Sequence, residues 1–235
     1  MDRIPIENFE HFLQEIAKIQ KAGNEIVLYR GQADNKELLP NIARNQRKED
    51  STKMERKMLE DFKRRSVLLM DREIRTDWEW LVYAQHFELK TRLLDWSSNP
   101  LTALWFACQN EYKFNQNSYV YILQSDNTMI VDLTKNESPF EIKKTRILRP
   151  SLNNVRVIAQ AGWFTAHKYS KTDGQFTPLE QNAEMKDKLT QLEIPAKEKK
   201  EILKKLSIFG INNRTIFQDL TGLCKHLNWK YTREN

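Results

Sequence analysis

The residues able to do chemistry cluster in one stretch, Ala84-Gln85-His86-Phe87-Glu88-Leu89-Lys90-Thr91-Arg92-Leu93-Leu94-Asp95-Trp96-Ser97-Ser98-Asn99-Pro100. Gln85, His86, Arg92 and Asp95 sit in a segment otherwise apolar enough to be core. Buried Arg and Asp are tolerated only when paired or engaged by a ligand. Two readings stand: an internal Arg92–Asp95 pair that fixes a loop, or two charged groups that serve a bound molecule. His86 is either a satisfied core histidine or a functional group. A second polar outlier is Arg30, which ends the β-rich run Glu25-Ile26-Val27-Leu28-Tyr29-Arg30-Gly31-Gln32. Its planar fork donates two parallel hydrogen bonds and suits a phosphate or carboxylate; the alternative is an ion pair to an internal acid. Gly31 lets another backbone or a ligand approach closely. A third outlier is Gln160, in Val155-Arg156-Val157-Ile158-Ala159-Gln160-Ala161-Gly162-Trp163-Phe164. It reads as a turn-stabilising amide or as a side chain aimed into a cleft. Arg30 and Gln160 are expected to share one cleft.

These groups need elements to position them. Phe9, Phe12, Leu13, Ile16 and Ile19 predict an amphipathic helix over 7–22, ended by Gly23. Residues 25–32 predict a strand, with Val27 and Tyr29 on one face and Leu28 and Arg30 on the other. Residues 33–49 are expected to be an exposed loop whose Arg44, Arg47 and Lys48 form a basic patch. The longest helical pattern covers 51–71, with Met54, Met58, Leu59, Phe62, Val67 and Leu69 inward and Glu55, Lys57, Arg64 and Arg65 outward. A helix capped by Thr76 or Asp77 delivers Gln85 and His86, and a buried helix over 99–112 follows Asn99-Pro100. Residues 119–123 and 129–132 predict paired strands. A strand is expected at 145–150, and two strands meeting at Ala161-Gly162 over 155–167. Residues 170–188 are expected on the surface. Charged helical pattern runs from Leu192 to Leu206, and a last amphipathic helix carries Phe217, Leu220, Leu223, Cys224 and Leu227. The result is an α+β domain with a central, mostly antiparallel sheet flanked by N-terminal and C-terminal helices.

The totals set outer bounds. A chain of 235 residues suits one domain with a real core. Cys108 and Cys224 lie in apolar helical patterns and read as buried thiols, not as a disulfide framework. The four histidines, His11, His86, His167 and His226, are not paired at ligand spacing, so no metal site is expected. There is no Walker A loop, no Gly-x-Gly-x-x-Gly and no Gly-x-Ser-x-Gly. No run of about 18 apolar residues exists, and Met1-Asp2-Arg3-Ile4-Pro5 shows no signal-peptide pattern. A cytoplasmic protein without a membrane partner is expected. A net charge of +6 permits contact with nucleic acid or a nucleotide without demanding it.

The central block resembles that of the FRG domain family, named for an aromatic-Arg-Gly triplet. That triplet stands here as Tyr29-Arg30-Gly31, followed by Gln32. The likeness continues through Ile158-Ala159-Gln160-Ala161-Gly162-Trp163-Phe164, similar to the family's Gln-x-Gly-x-Phe. It ends with Gly210-Ile211-Asn212 and Phe217-Gln218-Asp219-Leu220-Thr221-Gly222-Leu223. Gln218 departs from the family's Phe-Pro-Asp-Leu. Four blocks in order make residues 1–235 a single FRG-like domain with a motif-bearing core over 24–228.

The order of these blocks is in turn similar to ADP-ribosyltransferases. There an early-strand Arg or His holds NAD, a middle block buttresses the nicotinamide pocket, and a late acidic residue stabilises the ribosyl cation. The resemblance implies that Arg30 binds the phosphate or ribose of NAD, which is consumed as a substrate. Tyr29, Gly31 and Gln32 beside it, with Gln85, His86, Thr91 and Arg92, complete the implied NAD-binding set. Arg30, Asp95 and Gln160 form the implied catalytic set. An amide cannot stabilise an oxocarbenium as a carboxylate does, so Asp95 is the alternative stabiliser. The implied function is a toxin-like NAD-dependent ADP-ribosyltransferase of a bacterial toxin–antitoxin or phage-defence system. Its acceptor would be nucleic acid, RNA included, or protein, and its partner an antitoxin protein. The alternative is a non-catalytic module that binds a nucleotide, RNA or a partner.

Overall fold

The computed structural model describes residues 1–70, 73–135, 137–151 and 155–232. In chain order its regular elements are β1 (Asp2–Pro5), α1 (Phe9–Lys21), β2 (Ile26–Gln32), α2 (Thr52–Ser66), α3 (Asp77–His86), β3 (Leu93–Ser97), α4 (Pro100–Cys108), β4 (Ser118–Ser125) and β5 (Arg146–Leu148). They continue with α5 (Val155–Ala159), β6 (Gly162–Ala166), β7 (Tyr169–Ser170), β8 (Gln175–Phe176), β9 (Leu189–Ile194), α6 (Lys199–Ile208), α7 (Asn213–Phe217) and α8 (Leu220–Tyr231). Seven strands form one sheet in the order β1-β9-β4-β2-β3-β6-β5, while β7 and β8 pair separately. Every neighbour pair in the large sheet is antiparallel except β1 with β9. The chain is therefore α+β, with a mostly antiparallel central sheet.

Alternation along β2 sorts its side chains between two cores. Val27 and Tyr29 face α1, α4 and α6 with Phe12, Leu104 and Leu203. Ile26 and Leu28 face the other way, onto Leu38, Leu94, Trp96, Tyr121, Leu179 and Met185. A third core lies under α2 and α3, around Leu59, Trp78, Leu81 and Phe164. Local chemistry fixes the helix starts. Asn8 accepts from the His11 amide at 2.9 Å. Thr76 and Glu79 close a reciprocal capping box on α3. Asn99 accepts from the Leu101 amide at 2.9 Å, and Pro100 takes the first turn of α4.

The joint between β2 and β3 shapes everything that follows. β2 pairs with β4 along its whole length, from Ile26 to Gln32. With β3 it makes only the pair Tyr29 and Ser97. Among the described residues the two strands then part, and a split opens between the end of β2 and the start of β3.

Several expectations are corrected here. Residues 129–132 do not pair with 119–123. Asp126 accepts from the Thr128 amide at 2.9 Å, which turns the chain through a 3-10 helix at Asn127–Met129. Ile130 instead bridges Ile147. Residues 155–159 form the short helix α5, because alternating Val155 and Val157 do not face a strand partner; Val157 is buried, and Val155 and Ile158 are exposed. The helical pattern read from Leu192 splits at Pro195, with β9 before it and α6 from Lys199. Residues 33–49 and 170–188 are not mere surface: Leu38, Leu39, Ala43, Phe176, Leu179 and Met185 are all buried. The helix expected to reach residue 71 ends at Ser66, and Val67 and Leu69 are exposed. The helix over 99–112 ends at Cys108, followed by a 3-10 turn at Glu111–Lys113. Cys108 is buried, but Cys224 is exposed, since α8 buries little beyond Gly222. Strands β1 and β3 were not anticipated.

Candidate functional site

The three residues of the Tyr29-Arg30-Gly31 triplet do three different jobs. Tyr29 is fully buried in the α1/α4 core, and its hydroxyl accepts from Gln20 Nε2 at 2.7 Å. Gly31 lets α4 lie directly on the strand: a Cβ there would sit 1.8 Å from the Ala103 carbonyl oxygen and 2.6 Å from the Ala107 amide nitrogen. Arg30 reaches across the split. Its Nη1 donates to the Asp95 backbone carbonyl at 2.6 Å and lies 3.9 Å from Asp95 Oδ2. Its Nε donates to Gln32 Oε1 at 3.3 Å. The guanidinium thus ties the parted strands together, and its Nη2 makes no hydrogen bond to a described residue. Loss of hydration pulls the Arg30 pKa down to about 10; Asp95 opposes this shift and Arg44 adds to it. The group stays cationic at neutral pH.

A cleft of about 620 Å³ opens at the split, within the size range of small-molecule sites. Tyr29, Arg30, Gly31, Gln85, His86, Asp95 and Gln160 all line it. Arg30 and Gln160, separated by 130 positions in the chain numbering, therefore border the same space. Gln32, Thr91 and Arg92 do not line it.

The positions of the last three have physical reasons. Gln32 is buried and donates through Nε2 to the Lys36 carbonyl at 2.8 Å. Thr91 is buried beneath Gln85: its hydroxyl donates to Gln85 Oε1 and accepts from the Leu93 amide at 3.1 Å. That contact fixes the Gln85 amide, whose Nε2 then donates to Asp95 Oδ1 at 2.7 Å. Thr91 and Gln85 so orient the one acid that faces Arg30. Asp95 itself is 61% exposed on its side chain and points into the cleft.

The Arg92–Asp95 pair does not exist. Asp95 lies on β3, whereas Arg92 sits in a bend just before that strand. Arg92 is paired instead with Glu55 of α2, at 2.8 Å. Glu55, expected on the solvated face of its helix, is buried by this contact. Arg92 is structural, and Asp95, held by Gln85 and Arg30, borders the cleft.

Gln160 does not end a strand. It follows α5, its carbonyl accepts from Ser97 Oγ at 2.6 Å, and its Nε2 donates to the Ile216 carbonyl at 3.4 Å. Ala161, next to it, holds a left-handed φ of 47°. Gln160 thus braces the backbone and also borders the cleft.

Sequence reasoning missed part of the lining. Arg44, Lys90 and Arg156 add three cations to Arg30, facing the carboxylates of Glu88 and Asp95. Trp163 and Phe106 contribute aromatic walls, and Arg149 lies over the Trp163 ring at 5.5 Å. Arg44 belongs by sequence to the basic patch of residues 33–49, and nothing in its neighbourhood marks it as facing a cleft. Trp163 stood in a noted block, and an aromatic beside a cleft-facing amide was the available signal.

Residues 25–116 match the model of the FRG domain. Over this stretch, which is less than half of the chain, the protein is similar to the FRG domain. The match spans the triplet, α3, the Gln85–Asp95 block and α4, so the FRG-like stretch supplies Arg30, Gln85, His86 and Asp95. Gln160, Arg156 and Trp163 reach the cleft from beyond it. No curated protein and no solved structure matches the chain. Gln218, where the resemblance has proline, holds a φ of 47°, which a pyrrolidine ring forbids; the departure and the backbone agree. Among the described residues no helix is long and apolar enough to cross a membrane.

Proposed function

We propose that the FRG-domain cleft binds NAD and transfers its ADP-ribosyl group to an acceptor. The observation that carries this reading is Arg30 spanning a split in the sheet, tied to Asp95, in a nucleotide-sized cleft that Arg44, Lys90 and Arg156 also line. Arg30, Arg44, Lys90 and Arg156 suit a pyrophosphate, which carries negative charge and several acceptor oxygens. Trp163 and Phe106 offer flat apolar surface to a ring. Among the described residues the facing edges of β2 and β3 pair only at Tyr29 and Ser97, which leaves backbone groups beyond that pair for a carboxamide, apart from the Asp95 carbonyl that Arg30 holds.

Breaking the glycosidic bond of NAD sends its electron pair to the nicotinamide nitrogen and leaves a ribosyl cation. Asp95 is the oriented carboxylate beside that position, and Gln85 holds it in place. A fixed anion stabilises such a cation electrostatically, the more so where the bound dinucleotide itself excludes water from the carboxylate. Gln160 serves to close the cleft floor, not to carry charge. A toxin-like role in bacterial toxin–antitoxin or phage-defence systems, with an antitoxin as partner, fits an activity that consumes a central metabolite and modifies RNA or protein.

The test is incubation with NAD labelled on its adenylate half, with separate RNA, DNA and protein pools. Label on one pool, lost with Asp95→Asn, supports the transferase. One feature favours a second reading: the late position carries an amide, so the cleft would bind a nucleotide without reacting. NAD binding with no nicotinamide release would select that reading.

A further inference from the structure

Glu88 occupies a costly place. Helix α3 ends in a Schellman arrangement, with the Leu89 amide bonded to the Ala84 carbonyl at 3.1 Å and the Glu88 amide to the Gln85 carbonyl at 2.9 Å. The residue that closes this motif is left-handed, and Glu88 has a φ of 67°. Glycine takes that conformation without steric cost, whereas a side chain is strained there. The strained residue nonetheless carries a carboxylate, and that carboxylate lines the cleft. Strained backbone at a cleft is a recurrent mark of function.

Glu88 also differs from the other acid of the cleft. Asp95 is engaged by Gln85 and Arg30. Glu88 is exposed, and its carboxylate takes no hydrogen bond or ion pair from a described residue. The described lining therefore holds two carboxylates in different states, one fixed and one uncommitted. A fixed anion suits a developing cation. An uncommitted one can accept a proton.

We propose that Glu88 is the general base that deprotonates the acceptor, a step that rests on the transferase reading above. The C1′–N bond of NAD breaks and its electron pair leaves with nicotinamide. The lone pair of an acceptor hydroxyl or amine forms the new bond to C1′. The acceptor's proton passes to the Glu88 carboxylate and then to solvent. Asp95 acts on bond breaking, Glu88 on bond making with a protic nucleophile.

Nicotinamide separates the two roles, because its ring nitrogen attacks C1′ without losing a proton. The full chain, wild type and E88Q, is given NAD with labelled nicotinamide. Two rates are read: exchange of label into NAD, and hydrolysis of NAD with water as acceptor. Removal of a general base typically costs about 10²- to 10⁴-fold. E88Q is expected to lose hydrolysis by that factor and to keep exchange at the wild-type rate. A parallel E88G variant is expected to show the same split and a Tm raised by about 2–4 °C, the shift for a chain of this size that sheds a strained left-handed side chain. Equal loss of both rates, or loss of neither, overturns the assignment while leaving the transferase reading in place. A wild-type protein that binds NAD yet neither hydrolyses nor exchanges it overturns the transferase reading, and this assignment with it.

Discussion

Arg92 and Glu55, 37 residues apart in the chain, meet with Nε to Oε2 at 2.8 Å, and both side chains are 1% exposed. The Arg92 amide donates to the other Glu55 oxygen at 2.6 Å, and Nη1 donates to the Pro139 carbonyl at 3.1 Å. The ring of Phe140 lies 4.8 Å under the guanidinium. The pair clamps α2 to the start of β3. Removing one partner leaves an unpaired buried charge, so Glu55→Ala or Arg92→Ala is expected to destabilise the fold by about 3–5 kcal/mol. Denaturant unfolding measures this. Ligand affinity per folded molecule should stay at the wild-type value, because neither residue lines the cleft.

Gly31 gives a sharper steric test. An added Cβ would fall on the backbone of α4, 1.8 Å from Ala103 O and 2.6 Å from Ala107 N. No flexible side chain can move aside, so strand and helix must separate. Gly31→Ala is expected to lose at least the roughly 1–3 kcal/mol seen for overpacked cores. A wild-type unfolding midpoint for this variant would show that α4 does not lie on β2 as described.

His167 predicts a pH dependence. It is buried beside Thr165, whose hydroxyl accepts from Trp96 Nε1 and lies 3.1 Å from His167 Nε2. Burial, with Arg30, Arg92 and Arg44 nearby, pushes its pKa from an ordinary 6.5 down to about 3. Below pH 6.5 the unfolded chain binds a proton that the folded chain refuses, so stability falls as pH is lowered from 6.5 toward 3. The slope from this group approaches about 1.4 kcal/mol per pH unit. Between pH 6.5 and 5, before most carboxylates titrate, wild type should lose more stability than His167→Gln. Parallel curves for the two proteins would contradict it.

Much of the fold was legible, for identifiable reasons. Helices α1, α3 and α4 carry cap residues at their starts, Asn8, Thr76 and Asn99, and apolar spacing that only a helix satisfies. Strand β2 carries the apolar, β-rich run Ile26-Val27-Leu28-Tyr29. The triplet and the Gln85–Asp95 block were marked by polar groups in apolar surroundings, and Tyr29, Arg30, Gly31, Gln85, His86 and Asp95 do border the cleft. What failed was long-range pairing. Arg92 and Asp95 are close in the chain, but Arg92 turns onto Glu55 of α2 before β3 begins, and no local pattern reveals that partner. α5 was misread because Val155 and Val157 alternate like a strand over a span too short to show a helical period. Arg44 and Lys90 reached the cleft through tertiary packing alone.

Asp95 separates chemistry from stability. Its side chain is 61% exposed, so Asp95→Asn should change stability by no more than about 0.5 kcal/mol, the usual range for a surface substitution. An amide removes the fixed negative charge opposite the ribosyl cation, and the expected loss of turnover is about 10²- to 10³-fold, as for loss of one electrostatic stabiliser. Gln85→Leu should lower turnover in the same direction, because the carboxylate then loses its 2.7 Å donor. Single-turnover nicotinamide release at matched folded concentration is the measurement.

The central claim is that Arg30 holds the negative charge of NAD in the split between β2 and β3. Titration of NAD into wild type, Arg30→Ala and Arg30→Lys, with folding checked by circular dichroism, tests it directly. Arg30→Ala is expected to lose roughly 1.5–3 kcal/mol of binding, the range for a hydrogen bond to a charged group. Arg30→Lys should recover only part, since the two-pronged donor is gone. Equal affinities for wild type and Arg30→Ala, or no NAD binding by a folded wild type, would contradict the account.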